Sequence, residues 1–172
     1  MSLFYNHVKT PVGDIFLLSD GQYLIGLFFK GQKHMPKILP EWRQNPKLDV
    51  LSNAATQLLE YFNGSRKQFD IPCRTTIGTP FQQKVWRTIA KVPHGTTISY
   101  RELAKMAGYA SSIRAVATAA GKNPHSIIIP CHRIIGVKGD LTGYAGGIEH
   151  KNVLIALEQG TVSNKSEQLA CV

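Results

Sequence analysis

The sequence predicts an α+β fold, with an N-terminal β-sheet unit carrying one helix and a C-terminal α-helical unit carrying a helix-turn-helix and a cysteine loop. Three observations lead there. Short runs rich in β-formers fill the first half, and capped segments of helical periodicity fill the second. Between an apolar run and a glycine-rich loop, Cys131 stands beside His132 and Arg133. With 172 residues, 43% of them hydrophobic and 18% charged, the chain can hold one ordinary domain or two small ones around a real core.

The first expected unit spans residues 1–76. Leu3–Lys9, Asp14–Leu18 and Gln22–Phe29 read as strands, with Asp20-Gly21 as a hairpin turn. Residues 30–49 contain Gly31, Pro36, Pro40 and Pro46 and read as an irregular connection. Val50–Phe62 places Leu51, Ala54, Ala55, Leu58 and Phe62 at helical spacing, and Gly64 stops that helix. Residues 1–72 show no catalytic signature, so a scaffold role is expected for them.

Ile71–Thr79 reads as a linker into the second unit, residues 77–160. Thr79 supplies an N-cap hydroxyl and Pro80 a first helical residue, opening a helix to Lys91 that buries Phe81, Val85, Trp86 and Ile89 before Pro93-His94-Gly95. Ser99-Tyr100-Arg101-Glu102 is a capping box for a short helix closed by Gly108. Ser111 or Ser112 can cap a second short helix, Ile113–Lys122, ended by Asn123-Pro124. Two short helices around a tight turn form a helix-turn-helix pattern. A last helix, Ile148–Gln159, ends at Gly160, and residues 161–172 form a polar tail.

Charge is unevenly spread. Of the net +9, residues 81–140 carry nine Lys/Arg against Glu102 and Asp140, or +7. Concentrated positive charge favours a polyanion, because neutralised phosphates release condensed counterions. The second helix of the pair is unusual for a base reader. Ala115, Ala117, Ala119, Ala120 and Gly121 offer almost no base-edge hydrogen bonds, so contact with DNA is expected through shape and phosphates.

Cys73, Cys131 and Cys171 are far apart and odd in number, which fits free thiols in a reducing compartment. The six histidines are scattered, so no metal site is expected. With neither a leader nor an apolar run of membrane-spanning length, a cytoplasmic protein is expected.

Several pieces then stand in order. They are Thr79 to Trp86, Ile98-Ser99-Tyr100, Arg114-Ala115-Val116, Lys122-Asn123-Pro124, Ile129-Pro130-Cys131-His132-Arg133, Gly143-Tyr144-Ala145-Gly146-Gly147, and Glu158. Together they resemble the O6-alkylguanine-DNA alkyltransferases, closely over residues 77–160 and in outline over the β-rich first half. The resemblance implies DNA repair by irreversible, stoichiometric transfer of an alkyl group from O6 of guanine, with O4 of thymine as a second acceptable site, to Cys131. It implies no cofactor, and alkylated double-stranded DNA as partner of a monomer. Glu158 would orient His132, which takes the thiol proton; Asn123 would brace the turn before the cysteine; Tyr100 would protonate the departing guanine. Arg114 would fill the stack vacated by a flipped nucleotide, with Ala115, Ala119 and Gly121 in the minor groove. Tyr144 would close over the base, and backbone groups at Cys131 and Ile134 would read its edge.

Ala145 departs from the serine that some members have there, which implies no side-chain polarisation of O6 at that position and a slightly roomier pocket that tolerates larger alkyl groups, a point that rates on ethyl against methyl substrates test. Two other functions compete. A DNA-binding regulator or lesion-recognition module would be indifferent to Cys131→Ala, and a cysteine hydrolase would turn over an ester or amide.

Overall fold

The computed structural model describes residues 2–161, so the tail expected over 161–172 lies, beyond Thr161, outside the described residues. Strands β1 (Phe4–Thr10), β2 (Gly13–Ser19) and β3 (Leu24–Phe29) form an antiparallel meander, with Val8 opposite Ile15 and Leu17 opposite Leu27. The turn signalled by Asp20-Gly21 is longer than a two-residue hairpin. The Asp20 carboxylate accepts the backbone N–H groups of Gln22 (3.0 Å) and Tyr23 (2.8 Å), holding both in the turn and starting β3 at Leu24. The irregular connection contains one short strand, β4 (Arg43–Gln44), parallel to β1, giving the order β3-β2-β1-β4.

Strand β2 is buried on both sides, which a strict alternation would not give. One face packs Ile15, Leu17, Leu27 and Phe29 against helix α1 (Asp49–Phe62), which presents Leu51, Ala54, Leu58 and Tyr61. The other face gathers Phe16, Leu18 and Phe28 under Met35 and Trp42 of the connection.

In the second half the sequence signals for helix starts are met by side chains. Helix α2 (Pro80–Ile89) begins with a reciprocal Thr79–Gln82 capping box and buries Val85, Trp86 and Ile89, while Phe81 is half-buried against Tyr109, ring centroids 4.7 Å apart. Ser99 and Glu102 form the second capping box, opening helix α3 (Tyr100–Met106) just after strand β5 (Ile98–Ser99). Helix α4 (Ile113–Gly121) starts after Ser112 without a side-chain cap, so packing holds it instead: Trp86 Nε1–H donates to the Ala119 carbonyl at 2.7 Å. The expected pair of short helices is therefore present.

A 3-10 turn (Cys131–Arg133) leads into strand β6 (Ile134–Ile135), which runs parallel to β5 with Ile134 beside Ile98. Helix α5 (Ile148–Glu158) closes the described chain. The open edge of β3 joins the halves. Leu24 exchanges backbone bonds with Pro72 and Arg74 of the linker, and Leu27 with Pro124 and Ser126, just before the cysteine. One hydrophobic core runs through both halves and includes Leu27, Tyr61, Trp86, Cys131 and Leu154. Among the described residues no helix is long and apolar enough to cross a membrane.

Candidate active site

The cysteine is set by the loop before it. Asn123, buried at the end of α4, accepts the His125 N–H on Oδ1 at 2.8 Å, and this donor fixes which way the carboxamide points. Its Nδ2 then donates to the Ile129 carbonyl at 2.7 Å and lies 3.2 Å from the Cys131 sulfur. Between them the chain is tightly folded: Ile127 holds a φ of 71°, a left-handed conformation that costs a β-branched residue on the order of 1–3 kcal/mol and needs surrounding structure to impose it. The apolar run 127–129 is thus a series of turns, pinned on one side by Asn123 and on the other by β3.

Cys131 is buried. Burial pushes its thiol up, and the Asn123 N–H, the Lys151 ammonium and the local backbone N–H groups pull in the opposite direction by favouring the thiolate.

Glu158, at the end of α5, is the hub behind it. Its Oε1 accepts from His132 Nε2 (2.7 Å), Tyr61 Oη (2.7 Å) and an Arg133 terminal nitrogen (2.9 Å). Its Oε2 accepts from Arg133 Nε (2.8 Å) and the Gly95 N–H (3.2 Å). Burial alone would raise this carboxyl, but the bonds and charges of His132 and Arg133 outweigh it and hold it well below the usual range. Arg133 also donates to the Val92 carbonyl, so the whole fork is engaged in the interior. Gly95 sits at a φ of 77°, and a Cβ there would meet the Glu158 carbonyl oxygen at 3.1 Å, which is why glycine fits this approach.

Arg133 neutralises Glu158, and burial lowers the basicity of His132 against the opposing pull of that carboxylate, which favours the neutral imidazole. With an ionised carboxylate on Nε2, that nitrogen carries the proton. Nδ1 is then the lone-pair side, and it is buried with no hydrogen-bond partner among the described residues.

Lys151 is fully buried on α5. Its ammonium donates to the carbonyls of Ile134 (2.5 Å) and Thr142 (3.2 Å) and stands 5.7 Å from the Tyr100 ring. Burial lowers it to about 8. The Tyr100 hydroxyl donates to Thr142 O at 3.3 Å and borders Gly143; burial, with Cys131 nearby, pushes its phenol up to about 12. Tyr144 is buried within the glycine loop, edge-on to Phe29 of β3, and Phe29 stacks at 4.4 Å on His150 of α5, whose ring bonds the Gly146 carbonyl.

Cys131, His132, Glu158, Asn123, Tyr100, Ile134 and Tyr144 thus converge. Arg114, Ala115 and Gly121 lie on α4, Arg114 and Ala115 exposed and Gly121 half-buried. Ala119, expected on a DNA face, requires correction: it is 2% exposed, packed in the core beside Trp86, because the helix uses that side to bury its small residues. Of the basic residues in 81–140, Lys84, Arg87, Lys91, Arg101, Lys105, Arg114, Lys122 and Lys138 are exposed, and Arg133 is turned inward to Glu158.

Sequence reasoning missed Tyr61, Gly95 and Lys151, and gave Arg133 no role. Lys151 had a signal: it shares the helical face of Leu154 and Glu158, a side that the fold buries. Tyr61 had none, being one more aromatic on the apolar side of α1.

The chain matches family models over most of its length: the ribonuclease-like domain of 6-O-methylguanine DNA methyltransferase over residues 3–75, and the DNA binding domain of the same family over residues 80–160. It is 39% identical over 161 residues to the methylated-DNA–protein-cysteine methyltransferase of Methanosarcina barkeri, covering 93% of this chain and 99% of that one. The protein of the same name from Mycobacterium bovis is 40% identical over 157 residues, covering 91% and 93%. The crystal structure of Mycobacterium tuberculosis OGT in complex with DNA superimposes with a TM-score of 0.84 at 36% identity, covering 95% of this chain and 96% of that one. A two-part chain whose cysteine, histidine, asparagine and glutamate meet in one buried site therefore belongs to the 6-O-methylguanine DNA methyltransferase family.

Proposed function

We propose that the chain repairs alkylated DNA by taking the alkyl group of O6-alkylguanine onto Cys131, once per molecule. Membership of the family and relatives named methylated-DNA–protein-cysteine methyltransferases support a methyltransferase acting on DNA. The observation that carries the residue assignment is the line Asn123–Cys131 backed by His132–Glu158–Arg133.

His132 Nδ1 takes the thiol proton, through a bridging water. The thiolate sulfur attacks the alkyl carbon, the carbon–O6 bond breaks, and its electron pair leaves on guanine. The Tyr100 phenol, which keeps its proton at neutral pH, supplies it to that leaving group. A thioether on Cys131 has no return path, which makes the transfer stoichiometric and calls for no cofactor. Asn123 holds the sulfur and the turn that presents it. Lys151 steadies the thiolate and engages the Ile134 carbonyl, which with the Cys131 backbone faces the guanine edge.

A reactive sulfur inside a protein cannot reach O6 within a stacked duplex, so the nucleotide flips out. Arg114, exposed in the first turn of α4, enters the stack, while Ala115 and Gly121 let the helix approach the minor groove closely. Tyr144 and the loop 143–147 wall the pocket. The division into units at 1–76 and 77–160 is supported by the break between the two family matches, and the bonds from β3 make the first unit a brace for the loop before Cys131. The protein acts as a monomer in the cytoplasm.

The test is loss of the lesion from a duplex carrying O6-methylguanine. Cys131→Ala is expected to bind and leave the lesion intact, and Arg114→Ala to slow repair of the paired lesion more than of a mispaired one. Repair by Cys131→Ala would overturn the assignment, and equal rates for Arg114→Ala and the unaltered protein would remove the intercalating role.

A further inference from the structure

We propose that Tyr61 is a positioning residue for the alkyl transfer: its hydroxyl, carried by α1 of the first half, competes with His132 for one oxygen of Glu158 and so sets how strongly that carboxylate engages the imidazole. This rests on the reading of His132 as the base for Cys131.

A buried tyrosine needs a partner for its hydroxyl, so the bond to Glu158 by itself could be no more than satisfaction. The choice of oxygen says more. Oε1 receives Tyr61 at 2.7 Å, His132 at 2.7 Å and Arg133 at 2.9 Å, whereas Oε2 receives Arg133 Nε at 2.8 Å and the Gly95 N–H at 3.2 Å. A carboxylate oxygen has about two good lone-pair directions, so three donors on Oε1 share what two could fill. Charge given to the phenol is withheld from the imidazole.

Tyr61 is 1% exposed and held on its other sides by Phe62, Phe69 and His94, with centroids at 5.3, 5.5 and 6.3 Å. It cannot swing away, so the competition is built into the junction of the halves. The groups facing His132 and Glu158 are Arg133 from the 3-10 turn, Lys151 from α5, Cys131, Tyr144 from the glycine loop, and His94 with Gly95 from the segment after α2. Lys67 acts on His94. Among the described residues Glu158 is the carboxylate in this set, so a donor removed from Oε1 is felt by His132 and Arg133. The Arg133 fork is held by both Glu158 oxygens and the Val92 carbonyl, and the change therefore appears on the imidazole.

The sign follows. Without the phenol donor, Glu158 holds the His132 Nε2–H more strongly, the imidazole becomes more basic, and it stays protonated to higher pH. A protonated His132 cannot take the thiol proton. Tyr61→Phe keeps the ring and its packing, so it is the direct test in the full chain. Its acid limb for single-turnover transfer from an O6-methylguanine duplex should move to higher pH, leaving the rate below neutrality about threefold to tenfold slower. The alkaline plateau should be preserved.

A second readout needs no substrate. The imidazole of His132, followed by NMR through a pH titration, should have its midpoint raised in Tyr61→Phe. It should be lowered when 3-fluorotyrosine, a stronger donor of the same shape, is incorporated in place of Tyr61. An unmoved midpoint in both, or a Tyr61→Phe rate profile that superimposes on the unaltered one while only thermal stability falls, would overturn the proposal. Absence of methyl transfer to Cys131 in the unaltered protein would instead overturn the repair reading, and the titration midpoints would still decide the role of Tyr61.

Discussion

The Asn123 carboxamide nitrogen stands 3.2 Å from the Cys131 sulfur, with its orientation locked by the His125 N–H on the other end of the same group. That lock makes the contact a donor to sulfur and not an acceptor from it, so it favours the thiolate. Asn123→Asp keeps the shape and reverses the chemistry. It sets a negative charge against the sulfur and loses the donor to Ile129. Single-turnover methyl transfer should fall by about tenfold or more, and iodoacetamide labelling of Cys131 should slow with it. Unchanged labelling would mean that the contact does not act on the sulfur's ionisation.

Lys151 gives a prediction whose sign depends on pH. Its ammonium is lowered to about 8 by burial, so it is charged below that value and lost above it. Lys151→Met should therefore slow Cys131 alkylation roughly tenfold below pH 8. The gap should narrow as pH rises through that value, because the unaltered protein sheds the same charge. Labelling rates across this range check it.

His125 predicts a stability effect. Burial lowers its imidazole from 6.5 to about 4, with Nε2 on the Leu24 carbonyl at 3.1 Å. Between those values the unfolded chain binds a proton that the folded chain refuses. Stability is thus full above pH 6.5 and falls as pH drops toward 4, by on the order of 3 kcal/mol from this group. His125→Gln keeps a donor for Leu24 and removes the titration, so denaturant midpoints should show a flatter pH dependence across the same interval.

Gly146 is a steric prediction. A Cβ there would stand 2.7 Å from Phe29 and 2.8 Å from Tyr144, and neither ring has room, since Phe29 is stacked on His150 and Tyr144 is buried. Gly146→Ala should cost about 1–3 kcal/mol by overpacking, seen in thermal denaturation, and, on the proposed role of the loop as a pocket wall, should change the ratio of ethyl to methyl transfer. A ratio and stability equal to the unaltered protein's would show that the loop yields freely.

Much of this was legible in the sequence because local chemistry writes local structure. Thr79 and Ser99 announce their helices through side chains that bond three residues ahead, and both boxes form. The ordered pieces from Thr79 to Glu158 pointed to the family directly. What escaped was non-local. That β3 would take Pro72–Arg74 and Pro124–Ser126 on its edge depends on two segments meeting a third, and no spacing encodes it. Tyr61 looked like core because it is core, and its hydroxyl becomes informative only once Glu158 is found 2.7 Å away. Ala119 went the other way: a small residue on a DNA-binding helix serves equally for close approach to DNA or to Trp86, and the packing chose the latter.

Everything proposed for the site turns on Cys131 as the alkyl acceptor, used once. Mixing the full chain with one equivalent of O6-methylguanine duplex and measuring intact and peptide masses tests it most directly. One methyl group should be gained, on the Cys131 peptide, and the gain should stop at one per protein whatever the excess of DNA. Tight lesion-dependent binding without mass gain, or a methyl group found on another residue, would contradict it.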